Sequence, residues 1–300
     1  MLKIDIAFVI LHYNTIKETN DLVLSIKNRI DTQNYRIVIV DNFSPNNSGE
    51  ILQEQYKYDE SVEVVLLQDN IGFARGNNKG IDFIRSRFDS DYICCMNNDT
   101  LLIQNNFTRL IKKEYLKSNA AVIGPLGYLK NNFLQKSRYR LDSIENYRKE
   151  LETYKCIIEG KPHKSKFVRQ MQEKHIILYK VLRRIKKNVK IISNQIIQLF
   201  RKTDVVLHGS CLIFTRSFFE KLSGFNPNTF LYREEELLYI SLKKNNLLSV
   251  YTPNIKIKHF EDAATNSLNK TKDELKEVKL RNQINSLSVL IDEMTKMNNK

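Results

Sequence analysis

Asp91-Tyr-Ile-Cys-Cys-Met-Asn97-Asn98-Asp99-Thr100 is an apolar run that ends on a carboxylate. Residues 92–96 predict a buried strand, and a charge at the tip of such a strand is costly unless something binds there. In extended chain, neighbours at i and i+2 share a face, so Asn97 and Asp99 offer two oxygen-bearing groups on one side. Oxygen ligands of this kind suit a hard divalent cation, Mg2+ or Mn2+, that substrate phosphates also hold.

Outward from this run, residues 1–125 alternate strand and helix. Apolar runs at 4–11, 36–40, 62–67, 92–96 and 121–124 predict strands. Between them, amphipathic stretches to about residues 29, 58, 87 and 117 predict helices. Thr15-Ile-Lys-Glu18 reads as a capping box opening the first helix. This alternation predicts an α/β fold: a doubly wound, mostly parallel sheet flanked by helices. Ligands of such sheets bind beyond the carboxyl ends of the strands.

Three strand ends carry polar clusters. Asp41 follows Ile-Val-Ile-Val, residues 70–80 combine glycine, amides and basic groups, and Asp99 ends the fourth strand. A carboxylate after strand two can accept from a nucleobase N–H or a ribose hydroxyl. A Gly-rich turn lets backbone approach a ligand closely, and Arg75 or Lys79 can meet phosphate. The alternative is that Asp41 and Ser44 only cap the next helix. His12-Tyr13-Asn14 stands where a dinucleotide-binding fold would have G-x-G-x-x-G, and there is no P-loop.

Ala7-Phe-Val-Ile-Leu-His-Tyr-Asn14, Ile39-Val-Asp41-Asn-Phe-Ser44, Asn70-Ile-Gly-Phe-Ala-Arg-Gly-Asn-Asn-Lys-Gly80 and Met96-Asn-Asn-Asp99 together resemble the family 2 glycosyltransferases. Within that family the chain is most similar to the rhamnosyltransferase-like group of polysaccharide-building enzymes. The resemblance covers residues 5–127 and 204–260 and keeps the family's motif order. It implies a GT-A fold, a nucleotide-sugar donor (dTDP- or UDP-linked), a divalent cation, and inversion at the anomeric carbon. It matches Asp41 to the nucleobase contact and Asp99 to the metal ligand that closes a D-x-D-like element, with Asn97 in place of the first Asp. The donor-binding set it implies is His12, Asp41, Asn42, Asn70, Gly72, Phe73, Arg75, Asn77 and Asn98. At His12, backbone more than ring is expected to face the base. His259, in Ile255-Lys-Ile-Lys-His-Phe, resembles a histidine placed near the donor phosphates and joins Asp99 and Asn97 as a metal candidate.

Residues 205–214 form an apolar strand pattern broken at Gly209-Ser210, followed by Phe230-Leu-Tyr-Arg-Glu234-Glu235-Glu236. Three glutamates at a helix start are favoured by the macrodipole, so a charged first turn is the plain reading. The resemblance matches Glu235 to the catalytic base and Glu234 to its acidic neighbour; Leu237 stands where relatives carry another Asp. An acceptor hydroxyl needs such a base, because it is a poor nucleophile until its proton is accepted. A like-charged neighbour and burial raise a carboxylate's pKa toward a useful range. His208 is expected near the acceptor.

With 48 Lys and Arg against 34 Asp and Glu, the net charge is +14. Residues 130–203 hold 20 of the basic and 6 of the acidic groups, so the whole excess lies in that one segment. Within it, residues 177–200 carry an apolar helical stripe with Lys180, Arg183, Arg184, Lys186, Lys187 and Lys190 around it. Such a helix either binds an anionic membrane surface peripherally or packs on the main domain with a solvated basic face. No nucleic-acid motif supports a nucleic-acid partner. The segments expected are 1–129 (nucleotide-sugar half), 130–203 (basic helical insert), 204–265 (acceptor-side half) and 266–300 (a C-terminal helix packing on the domain or on a second copy).

No apolar stretch approaches the ~18 residues of a membrane span, and residues 6–11 are too short for a secretory signal. Cys94, Cys95, Cys156 and Cys211 show no metal spacing. A reduced, cytoplasmic protein, peripheral at most on the inner face of the membrane, is the expectation. The function expected is transfer of a sugar from a nucleotide-diphosphate donor to a hydroxyl of a glycan or lipid-linked glycan. The competing readings are a nucleotidyltransferase making the activated sugar, which would want a Gly-rich first loop with Arg or Lys, and a non-catalytic scaffold.

Overall fold

The computed structural model describes residues 1–135, 140–160, 195–260 and 272–298. The first part runs β1 (Leu2–His12), α1 (Ile16–Arg29), β2 (Tyr35–Asp41), α2 (Ser48–Tyr56), β3 (Val62–Leu66), α3 (Phe73–Arg87) and β4 (Phe88–Asn97). β5 (Thr100–Leu102), α4 (Phe107–Ser118), β6 (Val122–Tyr128) and α5 (Ile144–Ile158) follow. The remainder is β7 (Lys202–Thr203), β8 (Cys211–Thr215), α6 (Arg216–Phe219), α7 (Glu234–Lys244), β9 (Ser249–His259) and α8 (Lys272–Asn298).

These strands make one sheet in the order β3-β2-β1-β4-β8-β6-β9-β5, with β7 also on β9. β3, β2, β1 and β4 are parallel, β8 runs antiparallel to β4 and β6, and β6 and β9 are parallel again. β8 and β9, from the expected acceptor-side half, thus extend the sheet built by residues 1–128.

The unbroken apolar runs of β1, β2 and β4 follow from helices covering both faces. Ile6, Phe8, Ile10, Ile37, Ile39, Cys94 and Met96 pack with α1, α2 and α4 on one side. Their alternates Ala7, Val9, Val38, Val40, Ile93 and Cys95 pack with α3, α6 and α7 on the other. A third cluster joins α5, α7 and α8 through Tyr147, Leu237, Ile240, Leu287 and Leu290. The C-terminal helix therefore packs on the domain, and Leu237 is buried there.

Two local expectations are corrected. Thr15 is the N-cap of α1 but makes no side-chain cap; its hydroxyl accepts instead from Asn98 Nδ2 at 2.6 Å. Residues 205–210 stand outside β8, which begins only at Cys211, because this stretch turns to meet α7. Of the basic helix expected over 177–200, residues 177–194 lie outside the described residues. No helix among the described residues is long and apolar enough to cross a membrane.

Candidate active site

β1, β2 and β4 end on His12, Asp41 and Asn97, and the register sets His12 beside Asp41 and Leu11 beside Asn97. The sequence candidates therefore gather at the carboxyl edge of the sheet, where the helix-covered faces leave strand ends open. Beside it lies a cavity of about 430 Å³. Phe73 and Asn97 line it from the N-terminal half, and His208, Gly209, Glu234 and Glu235 from the C-terminal half. Glu150 and Tyr154 of α5 and Gln283 of α8 complete the wall.

The acid triplet divides its work by environment. Glu235 Oε1 accepts from the Gly209 backbone N–H at 3.0 Å. A Cβ on Gly209 would fall 2.6 Å from that oxygen, so this close approach requires glycine. Glu234 is buried, with no hydrogen-bond partner for Oε1. Burial first, and then the charge of Glu235, push its pKa up to about 8. Glu236 is taken up in an ion pair with buried Arg233 at 3.1 Å, and Arg233 also reaches Glu150 of α5 at 2.6 Å. Tyr232 and Arg233 both have positive φ, at 78° and 70°, so the triplet is presented from a tight left-handed turn. Ser286 of α8 donates to the Leu231 carbonyl at 2.7 Å and anchors that turn.

Next to the cavity, Asp99 Oδ1 and His259 Nε2 are 3.2 Å apart, and both residues are buried. The antiparallel pairing of β5 with β9 brings them together. Two adjacent ligands about 2.1 Å from one cation lie about 3 Å apart at octahedral angles, so the pair suits a shared divalent ion. Asn97 Oδ1 is buried with no partner, a further oxygen donor on the cavity side. Three protein groups of this chemistry leave room for substrate phosphate oxygens, and the residues fit Mg2+ or Mn2+. No cluster of three His, Cys, Asp or Glu occurs among the described residues, so any cation held here relies on the amide and on substrate. Behind the pair, the Gln135 amide lies 2.6 Å from His259 Nδ1 and 3.1 Å from His208 Nε2.

The remaining candidates have several fates. Asn42 and Asn70 lock the loop before α3: Asn42 Nδ2 donates to Asn70 Oδ1 at 2.9 Å, while Asn42 Oδ1 accepts from the Ile71 N–H at 3.1 Å. Gly72, at φ 84°, lets this loop touch the acid segment; its Cβ would fall 2.3 Å from the Phe230 carbonyl oxygen, which accepts from the Phe73 N–H. Asp41 is buried and accepts from the Ser44 hydroxyl and, at 3.2 Å, from its N–H. Burial raises its pKa. Asp41 and Ser44 therefore close a turn onto each other; α2 is capped from Asn47, without a side-chain bond.

The His12 ring points inward, bonded to Thr19 and Ser48 at 2.7 and 2.8 Å, and burial lowers its pKa to about 4. Asn98 joins it on that side, donating to Thr15 and Thr19. Arg75 is exposed with Nε on the Pro227 carbonyl at 2.8 Å, and Asn77 bonds the Phe73 carbonyl of its own helix at 3.0 Å. The structure therefore brings Glu234, Glu235, Asn97 and Phe73 into one cavity with Asp99 and His259 beside it, and turns Arg75, Asn77, Asn98 and the His12 ring elsewhere. Sequence reasoning missed Gln135, Glu150, Arg233 and Gln283. Arg233 carried a signal, a basic residue abutting three glutamates; the others carried none.

Comparison with known proteins bears on the fold and the family. S. aureus TarS residues 1–349 superimposes with a TM-score of 0.51 at 11% identity, over 94% of this chain and 70% of that one. GalNAc-T7, solved with UDP, GalNAc and Mn2+, gives 0.54 at 12% identity, over 86% of this chain and 44% of that one. The fold is that of GT-A glycosyltransferases. Glycosyltransferase GlyG of Streptococcus pneumoniae serotype 4 (strain ATCC BAA-334 / TIGR4) is 30% identical over 119 residues, 40% of this chain. The chain matches 38% of the length of that relative. Residues 7–223 match the family described as glycosyl transferase family 2, and this protein belongs to that family.

Proposed function

We propose that this glycosyltransferase is metal-dependent and inverting, and moves a sugar from a dTDP- or UDP-linked donor to a hydroxyl of a glycan or lipid-linked glycan. The observation that carries this reading is the opening of Glu234 and Glu235 onto one cavity with Asn97, against the Asp99–His259 pair. In it, Glu235 accepts the proton of the acceptor hydroxyl as the oxygen attacks the anomeric carbon. The bond from that carbon to the diphosphate breaks on the opposite face, which inverts the centre. The Gly209 N–H keeps the Glu235 carboxylate aimed at the cavity. Glu234, with its pKa near 8, carries a proton at neutral pH and spares Glu235 a second adjacent charge.

Asp99 and His259, with Asn97, would hold the divalent cation, which when bound neutralises charge on the departing diphosphate. A UDP donor is supported by two fold relatives, one solved with UDP, GalNAc and Mn2+ and TarS 1-349 solved with UDP-GlcNAc. The dTDP-rhamnose alternative rests on the subgroup resemblance of the motifs. A lipid-linked acceptor is supported by exposed Ile196, Leu199 and Phe200, an apolar surface suited to peripheral contact with a membrane.

Thermal shift with a panel of nucleoside diphosphates, with and without Mn2+, tests the reading. The expected result is a raised midpoint with UDP or dTDP that needs the metal and is lost in Asp99→Ala. Absence of any shift under every metal condition would remove the donor site.

A further inference from the structure

Gln135 sits among three hydrogen-bonding side chains, and their chemistry leaves one arrangement of protons. A neutral imidazole carries one ring proton and one lone pair. The Ser210 backbone N–H donates to His208 Nδ1 at 3.1 Å, so that nitrogen bears the lone pair and Nε2 bears the proton. The Nε2–H meets the Gln135 amide at 3.1 Å. An NH2 group cannot accept it, whereas the amide oxygen can. The two ends of a side-chain amide have nearly the same shape, so the network decides the orientation: Oε1 faces the rings and Nε2 donates to Ser210 Oγ across the 3.2 Å contact. The same oxygen then lies 2.6 Å from His259 Nδ1. Two acceptors cannot rest at that distance without a proton between them, so His259 Nδ1 is protonated.

This assignment fixes what His259 turns toward Asp99. With its proton on Nδ1, the ring leaves Nε2 as the nitrogen available to a cation at the position it shares with Asp99 Oδ1. A metal-ligating histidine needs that tautomer, its far N–H held by an acceptor. The Gln135 side chain is placed firmly enough to impose it. The residue is buried, its backbone N–H donates to the Gly127 carbonyl at 2.8 Å, and Gly127 leaves room where a Cβ would lie 2.3 Å from the Gln135 side chain.

We propose that Gln135 is a positioning residue for the cation site, its amide oxygen accepting from both His208 and His259 and so holding His259 in the metal-binding tautomer. The proposal rests on reading Asp99 and His259 as that site. Gln135→Met keeps length and removes the acceptor; Gln135→Glu keeps the acceptor. Mn2+ binding, followed by the EPR signal of free Mn2+ with and without UDP, should weaken on the order of 10- to 100-fold in Gln135→Met and stay within a few-fold of wild type in Gln135→Glu. Asp99→Ala should lose binding.

Mn2+ binding lost in Asp99→Ala but unchanged in Gln135→Met overturns the role of Gln135 and leaves the cation site standing. A wild-type protein that binds no Mn2+ under either condition overturns the site, and the role of Gln135 with it. Long-range 15N–1H NMR of the histidine rings in the metal-free wild type decides without any variant, should Gln135→Met fail to fold. His208 protonated on Nε2 and His259 protonated on Nδ1 are expected; a bare Nδ1 on His259 overturns the proposal.

Discussion

Glu234 and Glu235 are neighbours in sequence with opposite surroundings, and substitution should separate their roles. Glu235→Gln is expected to lower kcat by about 10²- to 10⁴-fold, the usual worth of a positioned general base, while nucleotide binding stays intact. Steady-state transfer together with a nucleotide titration checks this, and a near-normal kcat would move the base elsewhere. Glu234 titrates near pH 8 in the folded chain against 4.5 for an ordinary glutamate, so the folded state binds the extra proton between those values. Stability contributed through this group is therefore greatest at low pH and falls as pH rises from about 4.5 to 8. Glu234→Gln removes that loss, and its melting temperature relative to wild type should climb from pH 5 to pH 8. A pH-independent difference would show that Glu234 is not held protonated. The carboxylates were legible in the sequence because three acids after an aromatic approach are conspicuous. Their division was not, since burial and the reach of Arg233 are set by residues far away in the chain.

At the scale of elements, the acid turn is held by helices that contribute nothing to the sheet. α8 supplies Ser286 to the Leu231 carbonyl and packs Leu287 and Leu290 against Leu237 and Ile240 of α7. Leu290 is fully buried, so Leu290→Ala should cost about 2–5 kcal/mol in urea unfolding, from lost transfer energy plus the cavity left behind. A cost below 1 kcal/mol would mean that α8 docks only loosely. The strand–helix alternation of residues 1–125 was readable because its apolar periods are strong and uninterrupted. β9 was not: Ser249–His259 contains a proline and two lysines, and it becomes a strand through pairing with β6, β5 and β7. The capping box at Thr15 failed for a similar reason, because Asn98 of a distant turn captured the hydroxyl that the local pattern had promised to the helix end.

Across the whole molecule, the sheet edge carries polar groups buried by the fold. His12, at 0% exposure, keeps its ring uncharged with a folded pKa near 4 against 6.5 for the free group. The stabilisation it supplies is fully present above about pH 6.5 and is lost as pH falls toward 4. Denaturant unfolding across that window should show wild type losing stability more steeply than His12→Gln, whose side chain does not titrate; equal slopes would assign the acid sensitivity to other groups. The alternation of apolar runs and the order of the motifs were enough to specify a parallel sheet with oxygen-bearing residues at its carboxyl edge, since strand period and strand-end chemistry are local properties of the chain. Which of those residues meet was a matter of packing. The pairing of β5 with β9 carries His259 to Asp99 across 160 positions, and the turn at Arg233 swings Glu235 onto Gly209. Contacts of that kind depend on the register of distant strands and on the space that glycines leave between them, and neither is written in any local stretch of residues.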